Sequence, residues 1–195
     1  MKIILATSNK AKINEITQIL GNEIEYKTMH DFQDWPEVEE TEDTFEGNAL
    51  IKAKTLSEKY NVAAIADDSG LVVEVLNGEP GVHSSRYAGD DATDEQNVNK
   101  LLSSLEGKEN RKAVFKTVVV YAEPDGNIFS AEGEIKGNIL DKPVGTGGFG
   151  YDPVFVPSGF DRTFAQMSGQ EKNKLSHRGR ALKTLKNILQ QRGYF

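Results

Sequence analysis

Residues 2–21 have the sequence Lys2-Ile-Ile-Leu-Ala-Thr-Ser-Asn-Lys-Ala-Lys-Ile-Asn-Glu-Ile-Thr-Gln-Ile-Leu-Gly21. The apolar run in its first half predicts a short buried strand, because it is bounded by the turn-forming residues Thr, Ser and Asn. After the turn, Ile13, Ile16 and Leu20 recur at helical spacing until Gly21 ends the helix. This stretch therefore predicts strand, tight turn and helix, which is a building unit of α/β folds.

The same patterns predict the elements that follow along the chain. The Asp-Ser-Gly-rich residues 67–70 predict a turn that separates a strand over 62–66 from another over 71–76. The other predicted elements are a strand near 24–28, helices over 45–60 and 93–105, a hairpin of 113–122 and 127–140, a strand near 153–156 and a C-terminal helix through Leu189. Because helices alternate with strands but the hairpin is antiparallel, we predict α/β architecture with a mixed central sheet flanked by helices, in one domain of 195 residues.

Composition excludes several classes of protein. There is no cysteine and only three histidines, His30, His83 and His177, so any metal should be a hard cation on carboxylates. A net charge of −7 argues against binding to a nucleic-acid polymer, which needs basic surface. No apolar stretch approaches the ~18 residues that span a bilayer, so we expect no membrane association and a cytoplasmic location.

The charges are unevenly distributed along the chain. Residues 31–50 contain eight acidic residues and no basic one, whereas residues 161–195 contain eight basic residues and two acidic ones. Two solvated faces would explain this pattern. A cleft with one side for a metal and one side for an anion would explain it as well.

The turn before the first helix is a candidate phosphate site. Lys10 and Lys12 follow Asn9 in the first helical turn, where the helix dipole favours acidic residues instead. A bound phosphate would relieve that disadvantage, since helix N-termini bind anions. Exposed lysines near helix starts are nevertheless common, so the spacing alone leaves both interpretations open.

The adjacent acids Asp67 and Asp68 are candidates for Mg²⁺ binding or for activating a water molecule, although a turn of this composition is usually only a turn. Lys52 lies about 60° from the centre of the apolar stripe of its helix. Its side chain could extend to solvent along the apolar surface or could point a charge inward.

Two further segments could recognise a ligand. Gly145-Thr-Gly-Gly-Phe-Gly-Tyr-Asp152 matches G-x-G-x-x-G, but it neither follows a strand nor begins a helix, so the dinucleotide-binding interpretation is rejected. A flexible turn, or a loop in which Phe149 stacks on a planar ligand, remains. Residues 170–180 are rich in hydrogen-bond donors, which fits a solvated helix start or a second anion or base site.

Six segments in order resemble the signature blocks of the inosine triphosphate pyrophosphatase family, whose members hydrolyse dITP and XTP. They are Thr7-Ser-Asn-Lys-Ala-Lys12, Glu39-Glu-Thr-Glu-Asp-Thr-Phe-Glu-Gly-Asn-Ala49, Ala66-Asp-Asp-Ser-Gly70, Pro80-Gly-Val-His-Ser-Ser-Arg-Tyr-Ala-Gly89, Gly148-Phe-Gly-Tyr-Asp-Pro153 and Lys174-Leu-Ser-His-Arg-Gly-Arg-Ala181. The resemblance covers essentially the whole chain. Ser8 and Gly47 depart from the family pattern, which often has Gly and Glu there.

The resemblance implies a two-lobed mixed α/β fold with an active-site cleft, a homodimer, and hydrolysis of deaminated purine triphosphates (ITP, dITP, XTP) to monophosphate and pyrophosphate, which cleanses the nucleotide pool. It implies that Asp68 is the proton acceptor and that Glu40 and Asp68 bind Mg²⁺. The implied substrate contacts are Thr7, Ser8, Asn9, Lys10, Ala11, Lys12, Lys52, Ser69, Phe149, Gly150, Tyr151, Asp152, Lys172, His177 and Arg178. It assigns no role to Asp67 or Arg86.

Two alternatives are kept. One is a pyrophosphatase for modified pyrimidine or other altered nucleotides, which release of pyrophosphate from UTP would reveal. The other is a module that senses nucleotides without turnover. The adjacent acids argue against that module, because carboxylates beside a polyphosphate favour catalysis over simple binding.

Overall fold

A computed structural model describes residues 1–194. Within this range the strands form one six-stranded sheet in the order β2-β1-β3-β4-β5-β6. The strands are β1 (Lys2–Leu5), β2 (Glu25–Lys27), β3 (Ala64–Val73), β4 (Lys112–Ala122), β5 (Ile128–Ile139) and β6 (Phe155–Pro157). β1 is parallel to β2 and β3, whereas β5 and β6 are antiparallel. The predicted mixed sheet is therefore confirmed.

Five α-helices accompany the sheet in the described part of the chain: α1 (Lys10–Leu20), α2 (Phe45–Tyr60), α3 (Asp94–Ser104), α4 (Gly169–Leu175) and α5 (His177–Gln191). Side chains of Asn9 and Thr44 cap the first two helices, and Thr93 caps α3 with the predicted capping box. The donor-rich residues 170–180 belong to α4 and to the first turn of α5, with Ser176 between them. No helix over residues 1–194 is both long and apolar enough to cross a membrane.

The chain divides into two compact units. Unit 1 contains Met1–Asp68, Thr117–Gly133 and the segment from Arg178, and unit 2 contains Ser69–Lys116 and Glu134–His177. In unit 1, alternate residues of β1 point to opposite sheet faces: Ile3 and Leu5 pack with residues of α1 and α5, and Ile4 packs with residues of α2. Unit 2 has its own apolar core, which α3 residues share with Phe115, Phe155 and Phe164.

One sequence-based prediction is wrong. Residues 67–70 do not form a turn, because β3 continues without interruption from Ala64 to Val73 and no second strand covers 71–76. The extended backbone places Asp67 and Asp68 inside the sheet, where cationic side chains and an amide compensate their charges. Residues 74–76 instead form a short 3₁₀ turn that ends at Asn77, with φ +54°.

Candidate active site

Consecutive acids in β3 lie on opposite faces of the sheet. Ile65 packs in the core cluster on the α1 and α5 side, and Ala64 and Ala66 pack in the cluster on the α2 side. Because side chains of a strand alternate, Asp67 points to the α1 and α5 side and Asp68 to the α2 side. Both are buried, with 1% and 5% of their surface exposed. The two carboxylates therefore have different neighbours.

Asp67 is surrounded by cations. Its Oδ2 lies 3.1 Å from Nζ of Lys12 and accepts a hydrogen bond from Nε of Arg178 at 3.0 Å. Arg178 is 1% exposed, and its Nη1 also donates to Glu15 on α1. Burial alone would raise the pKa of Asp67, but Lys12 and Arg178 outweigh it and hold this pKa well below its usual range. Asp67 is thus an ionised counter-ion.

Asp68 has a different balance of charges. Asn48, fully buried on α2, donates from Nδ2 to its Oδ2 at 3.2 Å, and Nζ of Lys52 lies 3.8 Å from its Oδ1. Lys52 is bound more closely by Glu40, at 2.6 Å. Burial raises the pKa of Asp68, and the negative charge of Glu40 raises it further against the opposing effect of Lys52. A carboxylate with a raised pKa is a better proton acceptor.

Glu40 and Asp68 are the two residues expected to bind Mg²⁺. Over residues 1–194 no group of three or more His, Cys, Asp or Glu side chains is arranged to hold a metal ion. Oxygens of Glu40 and Asp68 nevertheless converge on one cation, the Lys52 ammonium, which also donates to the Asp67 carbonyl at 2.8 Å. Two carboxylates that share a cation fit a hard divalent ion, whose remaining ligands would have to be waters or substrate phosphates.

The six residues expected at the phosphates lie in the turn between β1 and α1 and in the first turn of α1. The Asn9 side chain accepts hydrogen bonds from the N–H groups of Ala11 and Lys12, at 2.9 and 3.2 Å, and the Thr7 hydroxyl accepts one from the Asn9 N–H. Ser8 and Lys10 are exposed. No acid lies in the first turn of α1, as expected from the sequence, and the charge of Lys12 is compensated instead by Asp67 on β3.

Unit 2 contains a second charged pair in aromatic surroundings. Nζ of Lys172 on α4 lies 2.6 Å from Oδ2 of Asp152, and both side chains are about 95% buried. The same ammonium lies 4.5 Å from the ring centroid of Phe149 and 5.7 Å from that of Phe164. The Phe149 N–H also donates to Asp152 at 2.9 Å. Lys172 and Asp152 therefore fix the loop that contains Phe149.

Glycines of this loop make room for packing. A Cβ on Gly145 or Gly147 would lie 2.9 Å from the Ala165 carbonyl oxygen, and one on Gly148 would overlap the Asp152 carboxylate. Gly150, in contrast, has open space around it. Close packing thus explains three of the four glycines.

The remaining predicted contacts of unit 2 are held by neighbouring elements. Gly150 donates its N–H to Asp94 at 2.7 Å, and the Tyr151 hydroxyl donates to a backbone carbonyl at 2.8 Å. The His177 ring stacks on Phe115, with centroids 4.7 Å apart and planes within 5°. Ser69 is half-buried in β3.

The structure groups the predicted residues within each unit. Glu40, Lys52 and Asp68 come together in unit 1, as do Lys12 and Arg178 around Asp67. In unit 2, Asp152 and Lys172 come together with Phe149.

Sequence reasoning missed Asn48 and Glu15. Helical spacing could have identified both, because Asn48 lies four residues before Lys52 and Glu15 three residues after Lys12.

Known proteins resemble this chain over nearly its whole length. Residues 3–188 match the model of the Ham1 family. Similar proteins named dITP/XTP pyrophosphatase come from Flavobacterium johnsoniae, 44% identical over 97% of this chain and 98% of that protein, and from a Thermoanaerobacter species, 49% identical over 98% of each.

Two solved structures share the fold. The Ham1 protein of Staphylococcus aureus has a TM-score of 0.89 and 38% identity, covering 98% of this chain and 100% of that one. A HAM1 protein from Coxiella burnetii has a TM-score of 0.89 and 40% identity, covering 98% and 99%. Because the family model and the relatives extend over nearly the whole sequence, this chain belongs to the Ham1 family.

Proposed function

We propose that this chain is a hydrolase that converts deaminated purine nucleoside triphosphates, namely ITP, dITP and XTP, to the monophosphate and pyrophosphate. The relatives named dITP/XTP pyrophosphatase support this activity. The observation of this structure that supports it most is the buried carboxyl of Asp68, whose pKa is raised beside Glu40 and Lys52. Such a group suits the activation of water at neutral pH.

In this reaction Asp68 takes a proton from the attacking water. The water oxygen forms a bond to the α-phosphorus, and the bond from this phosphorus to its bridging oxygen breaks, so that pyrophosphate leaves with the electron pair. Asn48 keeps the carboxylate oriented during the transfer, because its amide donates to Oδ2. The Lys52 ammonium would stabilise the negative charge that develops on the phosphate during the reaction.

Charge neutralisation is the second requirement. Glu40 and Asp68 would hold Mg²⁺, which when bound supplies neutralisation of phosphate oxygens. Lys10 and Lys12, with the turn formed by Thr7, Ser8, Asn9 and Ala11, would bind the phosphates. Lys12 is already close to Asp67, so its ammonium is held near the strand that contains the proton acceptor.

The base would be recognised from unit 2. Phe149 would stack on the purine, the His177 ring would donate a hydrogen bond to the 6-keto oxygen, and Ser69, Gly150, Tyr151, Asp152 and Lys172 would complete the contacts. Arg178 would contact the substrate through atoms other than Nε and Nη1, which are bonded to Asp67 and Glu15. We further propose a homodimer that acts on the cytoplasmic nucleotide pool; sedimentation of the purified chain tests the dimer.

The test of the function is pyrophosphate release from ITP, XTP, GTP, ATP and UTP, with Mg²⁺ present and absent. A site built to donate to a keto oxygen rejects the 6-amino group of ATP by roughly 10⁴-fold in kcat/KM. Rejection of GTP would require exclusion of its 2-amino group near Phe149. ATP turnover within tenfold of ITP would contradict recognition of the 6-keto group, whereas equal GTP turnover would contradict only the exclusion. Preferred UTP hydrolysis would indicate a pyrimidine enzyme, and binding without turnover a sensor.

A further inference from the structure

We propose that Phe32, Trp35 and Tyr60 are positioning residues for Glu40, because they anchor one end of the segment on which Glu40 lies. This inference rests on the proposed function, in which Glu40 holds Mg²⁺. None of the three side chains is among the predicted contacts with substrate or metal.

The segment in question is residues 32–44, which we call the strap. It has no helix or strand, and irregular segments of this length are uncommon in compact domains unless they serve a function. Six of its residues are acidic and none is basic: Asp34, Glu37, Glu39, Glu40, Glu42 and Asp43. Because like charges repel, the strap needs external contacts to keep one conformation.

One end of the strap is held at the C-terminal end of α2. The rings of Phe32 and Tyr60 stack with centroids 4.0 Å apart, and Trp35 stacks on Tyr60 at 6.2 Å. Asp34 lies between Phe32 and Trp35 in the sequence. Its carboxylate pairs with Lys59 at 3.0 Å, and its backbone carbonyl accepts a hydrogen bond from the Tyr60 hydroxyl. We call Phe32, Trp35 and Tyr60 the aromatic clasp; all three pack against the apolar core on the α2 side of unit 1.

The other end of the strap is held at the start of α2. The Glu42 N–H donates to Oδ1 of Asn48 at 2.9 Å, and the same Asn48 donates to Asp68. Glu42 also packs closely against Gly47, since a Cβ added to Gly47 would lie only 2.7 Å from the Cβ of Glu42. Between the two ends, Glu40 meets Lys52 in the middle of α2 at 2.6 Å.

The strap therefore runs antiparallel along α2 with little slack. From Asn48 to Tyr60 the helix rises about 18 Å. Between the matching strap residues, Trp35 and Glu42, seven residues reach at most ~23–25 Å when fully extended. A chain that already spans roughly three quarters of its full reach has fewer alternative paths, so the two anchors restrict where the Glu40 carboxylate lies. Opening the clasp would give that carboxylate room to move away from Lys52 and Asp68.

The first measurement follows the conformation of the strap in the absence of metal and substrate. Tyr60→Ala removes the shared ring of the clasp, and hydrogen–deuterium exchange followed by mass spectrometry should show faster exchange over residues 36–44. Trp35 is the sole tryptophan of the chain, so a red shift of its emission reports the opened clasp directly. Tyr60→Phe keeps the ring and loses only the hydroxyl's hydrogen bond to Asp34, so its exchange should lie much closer to that of the wild type than that of Tyr60→Ala does. Tyr60→Leu serves if the alanine variant does not fold.

The second measurement titrates Mg²⁺ alone into each protein by calorimetry. Tyr60→Ala should bind Mg²⁺ about tenfold more weakly, the scale of losing an outer support of a metal ligand. The Mg²⁺ concentration for half-maximal pyrophosphate release should rise by the same factor, while kcat at saturating Mg²⁺ stays within about twofold. The matched control is Phe129→Ala, which removes a ring from the separate aromatic group of Tyr121 and Tyr194 in unit 1 and should not shift the Mg²⁺ dependence.

Unchanged exchange over 36–44 in Tyr60→Ala, or faster exchange with unchanged Mg²⁺ affinity, overturns the positioning role. A Mg²⁺ shift of equal size in Phe129→Ala overturns it as well, because the effect would then be general destabilisation. If the wild type binds no Mg²⁺, the proposed metal site fails instead, and exchange over 36–44 together with Trp35 emission decides on the clasp separately.

Discussion

Asp67 and Asp68 are adjacent in β3, yet their surroundings shift their pKa values in opposite directions. On the α1 and α5 side, Lys12 and Arg178 hold the pKa of Asp67 down. On the α2 side, burial and Glu40 raise the pKa of Asp68, and Lys52 only partly compensates. Both acids are buried, so the difference between their pKa values comes from the number of cations on each face of the sheet and not from the depth of burial.

The comparison shows how one strand can supply two kinds of carboxylate. Asp67 with two cations is stably ionised and orders the side chains around it. Asp68 shares Lys52 with Glu40, so its charge is incompletely compensated and its proton affinity is higher. Alternation along the strand keeps the two functions apart although the residues are neighbours.

The largest expected effect tests the structural role of Asp67. Asp67→Asn leaves Lys12 without its neutralising carboxylate and buried Arg178 with Glu15 as its ion-pair partner, which should lower the free energy of unfolding by about 3–5 kcal/mol. Urea unfolding at pH 7 measures this loss, with Asp68→Asn as the matched control of the same chemistry. Equal stability of Asp67→Asn and the wild type would show that the ion pairs contribute no net stability.

The second effect tests the chemical role of Asp68. Asp68→Asn removes the proton acceptor and a metal ligand, so kcat for ITP should fall by roughly 10²-fold or more. Its free energy of unfolding at pH 7 should equal or exceed that of the wild type, because a destabilising buried charge is gone. A folded variant that turns over ITP near the wild-type rate would contradict the assignment.

A smaller effect is expected at Lys12, whose positive charge lowers the pKa of both Asp67 and Asp68. Lys12→Ala should raise KM for ITP by about tenfold, the scale of one lost charge-assisted hydrogen bond of roughly 1.4 kcal/mol. The free energy of unfolding should change little, since Arg178 still neutralises Asp67 and burial already lowers the pKa of Lys12. A large loss of stability with an unchanged KM would assign Lys12 to the fold alone.

The smallest effect is the pH dependence of stability, which should have opposite signs for the two acids. The folded-state pKa of Asp67 is depressed, so the deficit of Asp67→Asn is complete at neutral pH and shrinks only as the pH falls below about 3.9, the unfolded value. The pKa of Asp68 is raised, so the gain of Asp68→Asn is complete at neutral pH, shrinks as the pH falls through that raised pKa and is lost only below about 3.9. Urea midpoints from pH 7 to pH 3 in metal-free buffer measure both. Parallel curves would contradict the comparison.

Periodicity and capping sufficed for most of the fold. The α1 pattern of Ile13, Ile16 and Leu20, the bounds of α2 and the capping box of α3 are local features, so the sequence predicts them directly. The error at residues 67–70 has the opposite origin. Asp, Ser and Gly favour turns locally, but here Lys12, Arg178 and Asn48 from distant segments compensate the acids, and local propensity does not include them.

The functional site, like the fold, could be predicted only where the signal is local in the sequence. Lysines in the first turn of α1 and the off-stripe position of Lys52 are visible in the sequence because they violate local rules. Asn48 violates none. Only its place four residues before Lys52 indicates it, and its hydrogen bond to Asp68 depends on tertiary structure. The aromatic clasp likewise joins residues that are more than 20 positions apart.

The crowded glycines near Ala165 and Asp152 also bear on how such sequences can diverge. A neutral substitution at Gly145 or Gly147 would need the Ala165 backbone to move, and one at Gly148 would need Asp152 to leave Lys172. Gly150 has a φ of +58° but empty space around it, so Asn could replace it at modest cost. Packing therefore requires glycine at the first three positions. At Gly150 packing leaves room for a side chain, so its positive φ and its proposed contact with the substrate are what favour glycine there.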